Sequence, residues 1–253
     1  MEINELVKNK HNFNLAGIIP VAGQPLDFNF PWHDALAPIG HNYLAVEKAV
    51  FNCAIPKTRE IPIYYCAMEP KNVDRRDCLA WSIITGAQYS YQVGKQISRW
   101  TTPDRYFVSF PYGMFTPYYM SDARAKISSN DPFYVSYEGK SFKDGLYLPF
   151  TFTPEDFLQC RRTFRKNEAR GYDSNVERLP LEERYTGRYF THDFVFNEVI
   201  TDDAAVVELP WYYDISSWDK LKLWLGSEHK LKKPPKFISS YNEWNPLGRD
   251  VEE

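Results

Sequence analysis

The stretch LAGIIPVAGQPLDFNFPWHDALAPIGHNYLAVEKAVFNCA, Leu15 to Ala54, decides how the rest of the chain is read. It opens on a short apolar run, Leu15–Ala22, closed by Gly23-Gln24-Pro25. A run of that length bounded by turn residues reads as a buried strand. It closes on Tyr43–Ala54, where Val46, Ala49, Val50 and Cys53 recur at i, i+3, i+4 and i+7. That spacing predicts a helix with one buried stripe. The segment between them carries three prolines and no helical period, and long loops in compact domains are functional or unstructured. Strand, long loop and helix make the opening of an α/β unit.

The pattern continues outward. Glu60–Cys66 reads as a second strand. Asp77 can cap a helix over Cys78–Ser98, with Leu79, Ile83, Ala87 and Tyr91 on its inner face. Arg105–Phe110 is a strand stopped by Pro111-Tyr112-Gly113, and Tyr118–Ser128 reads as helical. Phe133–Tyr137 and Leu146–Phe152 read as strands joined by Glu138–Gly145. Pro154 suits the start of a helix carrying Phe157–Arg165. Ala205–Leu209 is a further strand. Ser216 or Ser217 can cap a last helix over Trp218–Lys230, with Trp218, Leu221, Trp224 and Leu225 on one stripe. Alternating strands and helices predict an α/β, Rossmann-like three-layer sandwich with a predominantly parallel mixed sheet. Its ligand belongs beyond the carboxyl ends of the strands, in the loops after Ala22, Phe110 and Leu209. Residues 1–230 read as one domain, followed by a basic, proline-containing tail over 231–253.

Composition narrows the function. The chain has 253 residues, 43% hydrophobic and 25% charged, which is ordinary for a globular protein. A net charge of −3 gives no global basic surface for a nucleic-acid backbone, so nucleic acid is not an expected partner. No apolar run reaches the ~18–20 residues of a membrane span, so no membrane partner is expected. The opening MEINELVKNKHN does not resemble a secretory signal. Cys53, Cys66, Cys78 and Cys160 are scattered, and the five histidines form no metal motif. Reduced thiols and a cytoplasmic location are the expectation, the host's cytoplasm if the chain is virus-encoded. Aromatic residues reach 17% and gather in DFNFPWH, RYFVSFPYGMFTPYYM, LYLPFTF and PWYYDISSW. Part of that surplus reads as core. The rest reads as a pocket in which rings replace glycines and charges.

Four segments in order carry a family resemblance. They are IIPVAG (Ile18–Gly23) with LAPIGHNYLAVEKAV (Leu36–Val50), RRDCLAWSI (Arg75–Ile83), DRYFVSF (Asp104–Phe110) and PWYYDISSWDKLKLWL (Pro210–Leu225). KDGLYLPFTFTPEDF (Lys143–Phe157), between the last two, resembles the sugar-site strand of the same family. Together they resemble the sugar-1-phosphate nucleotidylyltransferases of the nucleotide-diphospho-sugar transferase superfamily, over about Leu15–Leu225. The resemblance implies transfer of a nucleotidyl group from an NTP to a sugar 1-phosphate, with release of pyrophosphate and with Mg²⁺ as cofactor. It places Gly23 and Gln24 at the nucleotide and Asp214 at the metal and in catalysis. Beside it, Arg75 and Arg76 are candidates to hold the nucleotide's phosphate or base, Tyr112 to stack on its base or on the sugar, and Lys140 or Lys143, flanking a glycine turn, to reach the sugar phosphate as catalytic cations.

The sequence departs from that pattern in three places. The loop after the opening strand lacks the family's small-residue run with its arginine and the lysine near its end, and has Asp27 and Asp34 where cations belong; together with His33 these two resemble an acid/base or metal set. Tyr112 stands where the family has its first metal-ligating Asp, and a phenol is a poor Mg²⁺ ligand. A central strand with its base-contacting loop is missing after Ala54, through true loss or through residues omitted from the chain. Two alternatives therefore accompany the transferase reading. One is a catalytically degenerate member acting as a nucleotide-sugar-binding or interaction module, alone, as a homo-oligomer or with a protein partner. The other is a glycosyltransferase on the same fold, which would want a D-x-D-like pair where this chain has Phe110-Pro111-Tyr112-Gly113.

Overall fold

A computed structural model of the protein describes residues 14–21, 34–54, 79–97, 102–116, 131–172 and 191–233. The expected strand Glu60–Cys66, the helix Tyr118–Ser128, Asp77, and the Ala54–Ile55 junction's far side lie outside the described residues, as does the tail beyond Lys233. In chain order the elements are β1 (Leu15–Ile18), β2 (Pro38–Gly40), β3 (Tyr43–Leu44), α1 (Ala45–Ala54), α2 (Leu79–Ile97), β4 (Arg105–Val108), β5 (Gly113–Met114), β6 (Phe133–Ser136), β7 (Phe150–Phe152), α3 (Pro154–Tyr172), α4 (His192–Phe196), β8 (Ala205–Glu208), β9 (Tyr213–Asp214) and α5 (Trp218–Gly226).

Five strands form the main sheet in the order β1-β4-β7-β6-β8. β1 pairs with β4 in parallel, and so does β6 with β8. β7 runs antiparallel to both β4 and β6, which makes it the one reversed strand of the five. The expected mixed, mostly parallel sheet is therefore present. Tyr106, Phe107 and Val108 of β4 are all buried, as a central strand covered on both faces requires. Their side chains alternate between two cores. Tyr106 and Val108 join Ile18, Phe150 and Phe152 under α2, α3 and α4. Phe107 joins Phe133, Val135, Val207 and Cys53 of α1 on the opposite face.

β1 fits between the helix layers because two glycines leave room. A Cβ on Gly17 would lie 3.0 Å from Cys53 Sγ of α1, and one on Gly86 of α2 would lie 3.0 Å from Ile18. Much of the aromatic surplus is this core. Rings stack at centroid distances of 4.9 Å for Tyr106–Phe152 and 3.9 Å for Phe142–Phe150, with Phe196 5.4 Å from Phe152. Such pairs add about 0.5–1.5 kcal/mol each beyond area burial. The LYLPFTF and RYFVSF clusters thus pack inward rather than lining a pocket.

Several boundaries move for local reasons. Helix α1 starts at Ala45, not Tyr43. Glu47 accepts the Leu44 N–H at 3.0 Å, while Tyr43–Leu44 pairs back on β2 across a turn with Asn42 at φ 50°. The buried stripe of α1 is also rotated: Ala45, Lys48, Ala49, Asn52 and Cys53 face inward, and Val46 and Val50 are half-buried. On α2 the inner face is Leu79, Ala80, Ile83, Ile84 and Ala87, while Tyr91 is exposed. The strand expected from Leu146 begins at Phe150. Ser141 caps a short 3₁₀ turn, Phe142–Asp144, and Gly145 at φ 84° ends it. Helix α5 stops at Gly226, because the Ser227 N–H and hydroxyl both close on the Trp224 carbonyl, at 3.1 and 2.8 Å. Only Leu221 and Trp224 of its expected stripe are buried, and Trp218 and Leu225 are exposed. Helix α3 runs on to Tyr172, so Arg161 and Arg162 sit mid-helix and away from the C-terminal dipole. The side chains of Arg165 and Lys166 lie outside the described residues.

Phe150 on β7 lies opposite Val108 of β4 and Tyr134 of β6 and stacks on the Phe142 ring. Phe150→Ala is expected to destabilise the fold by about 3–5 kcal/mol, read by urea denaturation. Leu223→Ala, 68% exposed, is expected to stay within about 0.5 kcal/mol of the parent.

Candidate functional site at the carboxyl edge of the sheet

β1, β4, β6 and β8 all end on the same edge, and the chain segments leaving them meet there. The Ser109 N–H donates to the Ile18 carbonyl at 2.9 Å, fixing the exit of β4 beside that of β1. The chain then runs through buried Phe110, Pro111 and Tyr112 into β5. Past β8 it returns as β9. The two short strands pair antiparallel, with Gly113 opposite Asp214 and Met114 opposite Tyr213. The Ile215 N–H closes the ladder on the Tyr112 carbonyl at 2.9 Å.

Gly113 has no space for a side chain. A Cβ there would lie 2.1 Å from the Tyr147 carbonyl oxygen, a backbone atom that cannot swing aside. Its own carbonyl accepts a 2.5 Å hydrogen bond from Lys48 Nζ of α1. Lys48 is fully buried, with Nζ 3.9 Å from the Phe115 ring centroid, a cation–π distance. No carboxylate among the described residues pairs with it, and burial pulls the ammonium down to about 7. One turn further along the same face, Asn52 is buried with both amide atoms unpartnered among the described residues.

Asp214 is held from two sides. Oδ1 accepts the Ser216 N–H at 2.6 Å, and Oδ2 accepts Lys220 Nζ at 2.5 Å. Its side chain is 20% exposed and that of Lys220 is 50% exposed. Ser217 caps α5, accepting the Lys220 N–H, so the helix start sets where the lysine stands. Tyr112 is buried with its hydroxyl donating to the Val21 carbonyl at 3.3 Å. Its ring meets Tyr147 edge-on at 5.6 Å. Lys140 is exposed at the end of a tight turn. Glu138 and Gly139 take φ of 50° and 71° there, and Tyr137 and Lys140 exchange two 2.9 Å backbone bonds. Lys143 follows on the capped 3₁₀ turn. Gly23, Gln24, Arg75 and Arg76 lie outside the described residues, as do Asp27 and His33 and the side chain of Asp34.

Three groups at this edge escaped the sequence reading. Ser136 donates from its hydroxyl to Glu208 Oε2 where β6 and β8 end, and the Gly139 N–H reaches Oε1 at 3.5 Å. His192 is buried against Phe110 and Tyr147, with a ring nitrogen 3.2 Å from the Leu146 carbonyl. That contact makes Nε2 the protonated nitrogen, and burial holds the ring below the usual imidazole range. His229 Nδ1 lies 3.1 Å from the Tyr213 hydroxyl, with its ring 4.5 Å from Trp211. Cys53 and Cys160 are buried thiols raised to about 12 by burial, which removes them as nucleophiles.

Solved structures resemble this fold. One is a candidate glucose-1-phosphate thymidylyltransferase from Bacillus anthracis, in complex with a sucrose. It is 13% identical over 87% of this chain and 98% of its own, at a TM-score of 0.44. Another is a nucleoside-diphosphate-sugar pyrophosphorylase from Vibrio cholerae, 13% identical over 83% of this chain and 100% of its own, at 0.47. Likeness of this degree transfers no residue role. No protein-family model and no curated protein matches the sequence.

The donor set answers the question of a divalent cation. Mg²⁺ takes near-octahedral oxygen ligands from carboxylates, phosphates and water. Among the described residues no three His, Cys, Asp or Glu come together as a metal set. Each oxygen of Asp214 already accepts one hydrogen bond, Oδ1 from an N–H and Oδ2 from an ammonium that would sit against a bound cation. Tyr112 turns its hydroxyl to a carbonyl. These residues do not fit a bound Mg²⁺.

Lys48 gives a pH test of the site's frame. A free lysine titrates near 10.4, above the buried one. Between about pH 7 and 10 the unfolded chain holds a proton that the folded chain has lost, so stability rises with pH. Lys48→Met removes that dependence. The parent is expected to gain on the variant by up to about 1.4 kcal/mol per pH unit over that window in urea denaturation. Parallel pH profiles would contradict the assignment.

Proposed function

We propose that the chain binds a nucleoside triphosphate and a sugar phosphate at the carboxyl edge of its sheet and acts as a nucleotidyltransferase-like protein. The observation that carries this reading is that four like-directed strands end on one edge of the sheet, where the chain leaving β4 and β8 forms the Gly113–Asp214 ladder. In open α/β sheets, ligands sit in that crevice. In-line transfer to an α-phosphorus needs two polyanions positioned and their charge neutralised, with little covalent work by the protein. In the sense of this reading, Lys140 and Lys143 face the sugar phosphate, Asp214 and its neighbours face the nucleotide phosphates, and Gly23, Gln24, Arg75 and Arg76 serve the nucleoside.

A second reading is favoured by one specific observation. Asp214 spends both oxygens inside the protein, and the strand-exit position that would supply its partner carboxylate is a buried tyrosine. On that reading the chain binds nucleotide or nucleotide-sugar without turning it over, as a binding or interaction module. A glycosyltransferase has no such support here.

Calorimetric titration of the full chain with the common nucleoside triphosphates and nucleotide-sugars separates these from an unrelated role. Micromolar to millimolar binding of at least one is expected, and no heat with any would overturn both readings. Pyrophosphate release on adding sugar 1-phosphates distinguishes transferase from module. Release that persists in Asp214→Ala would remove Asp214 from catalysis.

A further inference from the structure

We infer that Lys220 supplies the positive charge at this edge that a divalent cation would otherwise supply, so that phosphates are held there by an ammonium and without Mg²⁺. The inference rests on the nucleotide reading above and concerns how that same site neutralises its ligand.

The geometry comes from three local features. Asp214 is fixed in the two-residue ladder opposite Gly113, at the place where the sheet's strand ends converge. Its Oδ1 is tied to the Ser216 N–H at 2.6 Å, which orients the carboxylate and leaves Oδ2 for a cation. That cation is Lys220 Nζ at 2.5 Å, delivered from the first turn of α5 by the Ser217 cap. An Mg²⁺ at Oδ2 would have to expel the ammonium or sit against it, and like charges in contact repel.

The pair is also built to face outward. Lys220 is half-exposed while Asp214 is largely covered. An ammonium has three N–H donors, and the carboxylate uses one. The other two meet no partner among the described residues and can donate to phosphate oxygens, which accept charge-assisted bonds at about 2.7–2.9 Å. An exposed ion pair contributes only about 0–1 kcal/mol by itself, so sharing the ammonium with a ligand costs the fold little. Lysine binds phosphate as a point charge and, unlike a hydrated metal ion, is not removed by a chelator.

The test uses the full chain and whichever nucleoside triphosphate gives the largest heat. The dissociation constant is measured in excess EDTA and again in excess MgCl₂, for the parent, Lys220→Met and Lys220→Arg. The expected result is a parent affinity in EDTA within about threefold of that in Mg²⁺. Lys220→Met is expected to weaken it about tenfold or more, a step of about 1.4 kcal/mol, while Lys220→Arg retains most of it. Thermal unfolding of each variant shows that the fold is intact. Binding that vanishes in EDTA and returns with Mg²⁺ would overturn the inference and leave the nucleotide reading standing. Equal affinity of Lys220→Met and the parent would do the same. No binding under either condition would overturn both.

Discussion

The carbonyl of Tyr147 stands where Gly113 would carry a side chain, and the site depends on that close approach. Only a residue without a Cβ lets the chain leaving β4 lie against this backbone. Lying there, it can pair with β9, accept Lys48 from the helix behind it and present Asp214 at the sheet edge. The elements joined at this point come from far apart in the chain: α1, β4, the Tyr147 segment and the approach to α5. A substitution at Gly113 would therefore disturb the site from the inside, without touching any group that faces a ligand.

Lys48 is the unusual member of that frame. A buried cation with no carboxylate among the described residues costs free energy unless its donors are used or its proton is lost. The Gly113 carbonyl and the Phe115 ring answer part of that need. The depressed titration answers the rest. A methionine would fill the same space more cheaply, so the lysine's contribution is directional: it pins one carbonyl, and through it one strand.

Much of the fold could be read from residue order because its signals are local. The apolar run at Leu15, the Val46–Cys53 period, Pro154 and the Ser217 cap each act within a few residues. The reversed strand β7 was legible as a strand and not in its direction, since direction is set by the 3₁₀ turn and the Phe142–Phe150 stack that precede it. Of the candidate site, only the position of some residues was legible. Asp214 lies at the predicted edge and Tyr112 at the predicted strand exit. What the order of residues did not disclose is what they touch. Lys220 meets Asp214 across a cap, at no helical spacing. Lys48 was hidden because the apolar spacing placed the stripe of α1 on Val46 and Val50, one position from where tertiary packing put it. The aromatic clusters misled for a related reason. A ring at a strand end looks like a ligand platform, yet Phe110 and Tyr112 are closed in by Tyr147 and His192.

Whether ligands engage the carboxyl edge of the sheet is read residue by residue by amide chemical-shift mapping. A ¹⁵N-labelled chain would be titrated with a nucleoside triphosphate and followed residue by residue. The largest shifts are expected in Ser109–Met114, Ser136–Ser141 and Asp214–Lys220. Shifts confined to the opposite end of the strands, at Asn14, Asp104 and Ala205, would contradict it.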